Sequence, residues 1–198
     1  MRIIALIEEL KKKYECNTIV RKNGTMLLGP GKIPKSDHML YKGLTQDVLD
    51  EYLISQYKYK FPSEYVEFLK YTNGATLFSI KIRSGKLEYA SSYLTILGLP
   101  LTPATSRAVD MEEPFDVRIE DLRRHKKIPK HWLKCGRYKM KREKGNEADL
   151  FIDTETNMVF SCRVDDYNIV ESWASLDDCL CNIFEKYMVG YVTGETLS

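Results

Sequence analysis

Ala148-Asp149-Leu150-Phe151-Ile152-Asp153 is the stretch whose reading decides the fold. Leu150 and Ile152 share one face of an extended strand, since side chains alternate along β-structure. Lys144-Gly145-Asn146 precedes it and Thr154-Glu155-Thr156-Asn157 follows it, both rich in turn-forming residues. Beyond these turns lie two further strand-like runs, 132–142 and 158–164; in the second, Phe160 and Cys162 share a face. The pattern predicts a three-stranded antiparallel meander. It sets basic Arg137, Lys139, Lys141 and Arg142 across from acidic Asp149 and Asp153. Such cross-strand ion pairs contribute roughly a few tenths of a kcal/mol each.

Working outward, Ser175 with Asp178 forms a capping box for a closing helix. Leu176, Cys179, Leu180, Ile183, Phe184 and Tyr187 make its apolar face, and Gly190 follows it. Residues 191–198 are expected to be a mobile tail. Toward the N-terminus, residues 98–116 hold three Pro and four acids, Asp110, Glu112, Glu113 and Asp116, and read as a long exposed loop. A short helix is expected around 119–124. Residues 77–83, 86–89 and 93–97 read as strands. Phe61-Pro62 opens a helix lined by Tyr65, Phe68, Leu69 and Thr72 and stopped by Asn73-Gly74. Thr45 caps another, with Val48, Leu49, Tyr52 and Leu53 as its buried stripe. Lys22-Asn23-Gly24 turns an N-terminal hairpin, Gly/Pro-rich 29–34 ends that unit, and Ile3, Ile7, Leu10 and Tyr14 mark a helix over 2–14. The fold class is α+β, a mostly antiparallel twisted sheet with helices packed against it. The expected organisation is an N-terminal helix and hairpin extension over 1–44, one α+β domain over 45–190, and the tail.

Hydrophobic residues make up 43% of the 198 residues and charged residues 29%, as in an ordinary globular domain. No run reaches the ~18 apolar residues of a membrane span. The apolar start, Met1 to Ile7, is broken by Glu8 and Glu9 and followed by Lys11, Lys12 and Lys13, which suits an amphipathic helix rather than a signal peptide. A cytoplasmic protein without membrane contact is expected, and its five Cys, an odd number with no CxxC pair, fit reduced thiols. Charge is unevenly spread. Residues 1–122 carry net +1, 123–144 net +10 and 145–198 net −9. The last two segments attract each other.

Chemistry-bearing constellations are sparse. His131 and Cys135 lie four apart, with His125 upstream and His38 far away, which falls short of a zinc-ligand set. Ser175, Cys135 and His131 form no recognisable nucleophile–base motif, and no Gly-rich phosphate loop occurs. No catalytic, cofactor-binding or metal-binding residue is assigned, and no cofactor is implied. Cys179 and Cys181 point to different helix faces, so one core and one partly exposed thiol are expected. Asp177-Asp178 reads as a helix N-terminus and Asp165-Asp166 as a solvated turn. The basic run with Trp132 and Tyr138 interleaved is the best nucleic-acid candidate, although Trp132 is expected to pack in the core.

Phe61-Pro62-Ser63-Glu64-Tyr65-Val66-Glu67-Phe68-Leu69-Lys70-Tyr71-Thr72-Asn73-Gly74 resembles the hydrophobic-Pro, helix, Asn-Gly signature of the SUKH superfamily. Ile128-Pro129-x-x-Trp132, Gly136, residues 148–153 and Ala174-Ser175-Leu176-x-x-Cys179-Leu180 continue the likeness, over roughly residues 45–188. Leu176 and Cys179 stand where that family usually has aromatics. Members include bacterial toxin-immunity proteins and yeast cell-wall-synthesis regulators. The resemblance implies a non-enzymatic domain in which Phe61, Pro62, Gly74, Trp132 and Leu180 are structural. It implies a bacterial immunity protein that binds and neutralises a cognate toxin, a nuclease among the expected kinds. The charged and aromatic candidates for partner binding are Asp110, Glu112, Glu113 and Asp116 in the loop, and Asp165, Asp166 and Tyr167 in the turn. A regulatory scaffold for host proteins and a nucleic-acid module using 123–144 are the alternatives. A monomer is expected.

Overall fold

The computed structural model of the chain describes residues 1–30, 36–56, 61–84, 87–99, 128–140 and 146–193. Its elements run α1 (Arg2–Lys13), a 3-10 turn (Glu15–Asn17), β1 (Thr18–Val20), β2 (Met26–Pro30), β3 (Ser36–Lys42), α2 (Gln46–Gln56), α3 (Ser63–Tyr71), β4 (Thr72–Ser84), β5 (Leu87–Ile96), β6 (Trp132–Lys139), β7 (Glu147–Asp153), β8 (Val159–Arg163), β9 (Ile169–Trp173) and α4 (Leu176–Thr193). The nine strands form one sheet in sequence order, each antiparallel to the next. The α+β expectation is met. No described helix is long and apolar enough to cross a membrane. The expected loop over 98–116, the helix around 119–124, and Lys141 and Arg142 fall wholly or mostly outside the described residues.

One face of the sheet carries the main core. Ala148, Leu150 and Ile152 of β7 join Leu133, Leu94 and Val159 from neighbouring strands, under Phe68 and Leu69 of α3 and Leu180, Ile183 and Phe184 of α4. α1 buries Ile3, Ile7 and Leu10 against the same cluster. Three helix starts are tied together by carboxylates. Glu64 Oε2 of α3 accepts the backbone N–H groups of Leu176 (2.9 Å) and Asp177 (3.2 Å). Asp177 in turn accepts those of Arg2 (2.8 Å) and Ile3 (2.9 Å) at the start of α1. The first N–H groups of a helix lack intrahelical partners and carry partial positive charge, so acids borrowed from a neighbouring helix satisfy both demands.

Several elements depart from expectation. α3 ends at Tyr71, and Thr72 is already extended (φ −150°, ψ 129°), so Asn73-Gly74 belongs to β4 and not to a helix cap. The pair has another use there. The buried Asn73 amide donates to the Leu99 carbonyl (2.8 Å) and accepts the Leu99 N–H (2.7 Å), as a strand backbone would. Gly74 has φ +93°, and a Cβ there would lie 2.9 Å from the Ile96 carbonyl oxygen. Residues 86–89 and 93–97, read as two strands, are essentially one, β5. β3, beyond the Gly/Pro-rich connection, joins the N-terminal hairpin to β4. It buries His38, whose Nδ1 accepts the N–H of Phe78 (3.1 Å), a residue held at φ +56°. β9 extends the expected three-stranded meander to four. α4 continues through Gly190 to Thr193. Cys181 is buried as well as Cys179, because α1 packs along the second flank of α4.

Candidate functional site

The opposite face of β6–β8 carries the charged and aromatic side chains. A regular β6 would point Leu133, Cys135, Arg137 and Lys139 the same way. The β6–β7 register instead shifts between Lys134 and Gly136. A bulge of this kind reverses the alternation downstream of it. Leu133, Cys135 and Tyr138 thereby reach the main core, while Lys134, Arg137 and Lys139 meet acids of β7. Asp149, 1% exposed, accepts Lys134 Nζ on one oxygen (2.6 Å) and Arg137 Nε on the other (2.6 Å). Glu147 lies near Arg137 (3.4 Å) and Lys139 (3.8 Å). Burial pushes the Lys134 ammonium below its usual range despite the pull of Asp149. Burial also works against the Arg137 charge, and Asp149 and Glu147 overcome it. Expected cross-strand pairing is met by Arg137 opposite Asp149; Lys139 faces Glu147, and Asp153 faces Trp132.

Trp132 is not a main-core residue. It lies half-buried on this second face, stacked on Phe160 (4.5 Å between centroids, 6° between planes), in a small cluster with Ile128, Phe151, Cys162 and Tyr167. The odd-numbered positions of β7 face this side, so the strand's entrance residue cannot reach the helices.

Of the predicted partner-binding residues, Asp165, Asp166 and Tyr167 lie together in the β8–β9 turn. Asp110, Glu112, Glu113 and Asp116 lie outside the described residues. Asp165 is exposed. Asp166 accepts both the backbone N–H (2.9 Å) and the side-chain amide (2.6 Å) of Asn168, which shapes the turn. Tyr167, at φ +57°, lays its ring on the small aromatic cluster. Burial raises its phenol pKa, Asp149 adds to this and Arg137 opposes it. Sequence reasoning missed the strand beyond this turn. Ile169 and Val170 are β-branched and Trp173 is aromatic, residue types favoured in strands, and among the described residues β9 is an outer edge of the sheet. Glu171 is fixed in its middle. Its N–H donates to buried Ser161 Oγ (3.1 Å), and its Oε2 lies 3.4 Å from the Tyr138 hydroxyl.

The other residues weighed for chemistry are spread apart. The Cys135 thiol lies in the core, donates to the Leu150 carbonyl (3.5 Å), and is pushed well up by burial. Ser175 Oγ accepts the Asp178 N–H (3.1 Å) as a helix cap, the first half of the expected box. Asp178 itself pairs with Arg2 (2.8 Å). His131, which sequence reasoning grouped with Cys135 and His125, instead approaches Asp153 and Glu155, and ligand atoms of the three lie within 4.8 Å of one another. The two acids address different ring nitrogens, Nε2 at 3.7 Å and Nδ1 at 3.9 Å. Asp153 Oδ1 also accepts the N–H groups of Glu155 (2.9 Å) and Thr156 (3.2 Å). Although burial opposes it, these turn hydrogen bonds and His131 hold the Asp153 carboxyl below its ordinary value.

No curated protein matches this chain, and no solved structure does. The model of the SMI1 / KNR4 family (SUKH-1) matches residues 43–182, from just before α2 into α4. With most of the chain covered, including the α3–β4 junction, the β6–β8 meander and the start of α4, the chain belongs to the SMI1 / KNR4 family (SUKH-1).

Proposed function

We propose that this chain is a non-enzymatic bacterial immunity protein of the cytoplasm, which binds a cognate toxin one to one and neutralises it. The observation that carries the reading is the family match over residues 43–182. The positions that resemble the family's motifs are engaged in building the scaffold. Glu64 caps α4, Asn73 clamps Leu99, and Phe61 stacks on Tyr65. A scaffold so occupied acts through its surface, and charged surfaces speed association and select partners. The acids Asp165 and Asp166 with Tyr167 are the proposed contact region. Asp110, Glu112, Glu113 and Asp116 stay in the proposal on their charge alone.

The nucleic-acid alternative is weakened by the ion pairs of the second face. Lys134, Arg137 and Lys139 are each engaged by Asp149 or Glu147. Side chains committed to carboxylates have less to offer phosphates.

The test is co-expression with the toxin domain encoded beside this gene. A one-to-one complex by light scattering, with restored growth, is the expected result. Charge reversal of Asp165 and Asp166 to Lys is expected to weaken binding more than about tenfold, as two contacts of ~1 kcal/mol each imply. A neighbouring toxin that kills undiminished and forms no complex would overturn the reading.

A further inference from the structure

We infer that β9 is a docking edge for an extended, basic and aliphatic segment of the protein partner, which adds to the sheet as a tenth strand. The inference rests on the protein-binding reading above and gives it a place and a chemistry.

Among the described residues, β9 pairs on one side only, with β8. An edge strand of this kind presents unpaired N–H and C=O groups to any strand that approaches. Its register shifts between Ser161 and Cys162, which lie opposite Glu171 and Ile169, so Val170 is the extra residue of a bulge. A regular strand would turn one of two successive side chains toward the helix layer. Here both aliphatic residues face solvent, Ile169 57% exposed and Val170 39%. An exposed aliphatic pair on an open edge invites association, and proteins usually guard such edges.

The guard here is negative charge. Asp165 and Asp166 precede the pair and Glu171 follows it, while Arg163 is the single basic residue between 159 and 173. Tyr138 and Ser161 hold Glu171 at the centre of the edge. A second copy of β9, paired antiparallel about Glu171, would set one Glu171 directly against the other, which is unfavourable for like charges directly opposite. A head-to-tail stack, β1 of one copy on β9 of the next, grows without limit unless its rotation closes a ring. A foreign strand alternating Lys or Arg with Val or Ile meets neither obstacle. Its backbone completes the edge ladder, its apolar side chains cover Ile169 and Val170, and its cations face the acids. In this mode main-chain hydrogen bonds supply affinity and side chains supply specificity.

The probe is an acetylated, amidated heptapeptide of alternating Lys and Val, titrated into the isotope-labelled full chain and followed by amide NMR shifts. Saturable shifts concentrated in residues 159–173 are expected. Binding should be at least tenfold weaker for the Glu/Val counterpart, for a Lys/Val peptide with Pro at its centre, and for the Ile169→Lys, Val170→Lys variant. Because both replaced side chains are exposed, the variant should keep the wild-type circular dichroism spectrum and melting temperature. No shift at millimolar peptide, shifts centred elsewhere, equal binding of the Glu/Val peptide, or concentration-dependent polymers in sedimentation would each overturn the inference. A second arm separates it from the immunity reading. If wild type neutralises a toxin and the double variant does so equally well, the edge assignment fails and the immunity role stands. If wild type binds the Lys/Val peptide on β9 but no toxin, the edge stands and the immunity role fails.

Discussion

Asp149→Asn is the substitution that best tests how the second face of the sheet is held together. Exposed cross-strand ion pairs are worth roughly a few tenths of a kcal/mol each. Asp149 is a different case, since it is 1% exposed and receives Lys134 and Arg137 at 2.6 Å each. Asn preserves the shape but replaces one acceptor oxygen by an NH2 group, which confronts a cationic donor. Removing one member of a buried pair costs about 3–5 kcal/mol. Arg137 is 41% exposed and has Glu147 within reach, so part of its loss is recovered. Lys134, at 14% exposure, has little recourse. The expected loss is therefore about 3 kcal/mol, which in a chain of this size lowers the melting temperature by roughly 6–12 °C. Urea unfolding at low and high salt provides the measurement, and the loss should persist at high salt because buried pairs are weakly screened. In a Lys134→Met background the same substitution should cost at least about 1 kcal/mol less, since the charge left stranded is gone. A loss below about 0.5 kcal/mol, or additivity of the two substitutions within that margin, would refute the argument.

The relay of helix caps predicts that Asp177→Ala destabilises the protein by about 1–2 kcal/mol, because two N–H groups at the start of α1 lose their acceptor; hydrogen exchange should rise first in α1. Burial, with Lys13 nearby, lowers the His38 pKa to about 3 from an ordinary value of 6.5. The neutral ring is thus the native form, so its contribution is fully present above pH 6.5 and is lost as pH falls toward 3, by up to about 1.4 kcal/mol per pH unit. His38→Asn should flatten that acid limb of the stability profile, and an unchanged slope would exclude His38 as its source.

The sheet was legible where the two-residue period is strong. Leu150 and Ile152, Phe160 and Cys162, and the Asn23-Gly24 hairpin all stand as their alternation and turn chemistry indicate. β3 was hidden because Ser36 to Lys42 mixes polar and apolar residues on both faces, with His38 buried in the interior. β9 was hidden because Glu171-Ser172 breaks the apolar–polar alternation after the β-branched Ile169-Val170. Nothing local reveals the bulge near Cys135. Its reason lies in the partner strands, where Gly136 passes under the Thr95 carbonyl oxygen, 2.7 Å from where a Cβ would stand. The role of Asn73-Gly74 was equally unreadable, because its partner Leu99 is 26 residues away. At the candidate site, the turn acids were visible as charge. The apolar pair beside them becomes meaningful only once β9 is known to be an edge.

The charge blocks of the sequence and the open edge of the sheet are connected by folding itself. The net +10 segment contains β6 and the net −9 segment contains β7, and these two strands are adjacent. Pairing these strands sets Lys134, Arg137 and Lys139 against Asp149 and Glu147, and the bulge in β6 is what turns Arg137 and Lys139 outward to meet them. Without it, Arg137 and Lys139 would face the main core, where burying a charge costs several kcal/mol. Among the described residues, this neutralisation joins β6 to β7. Asp165, Asp166 and Glu171 follow two strands further on, with Arg163 beside them in sequence. Folding thus engages the cations of β6 and gathers three acids at the β9 edge, beside Ile169 and Val170. A net charge of +2 for the whole chain conceals this asymmetry. A partner that senses the β9 edge meets an acidic, partly aliphatic strand, so its own surface has to be basic to approach and apolar to stay.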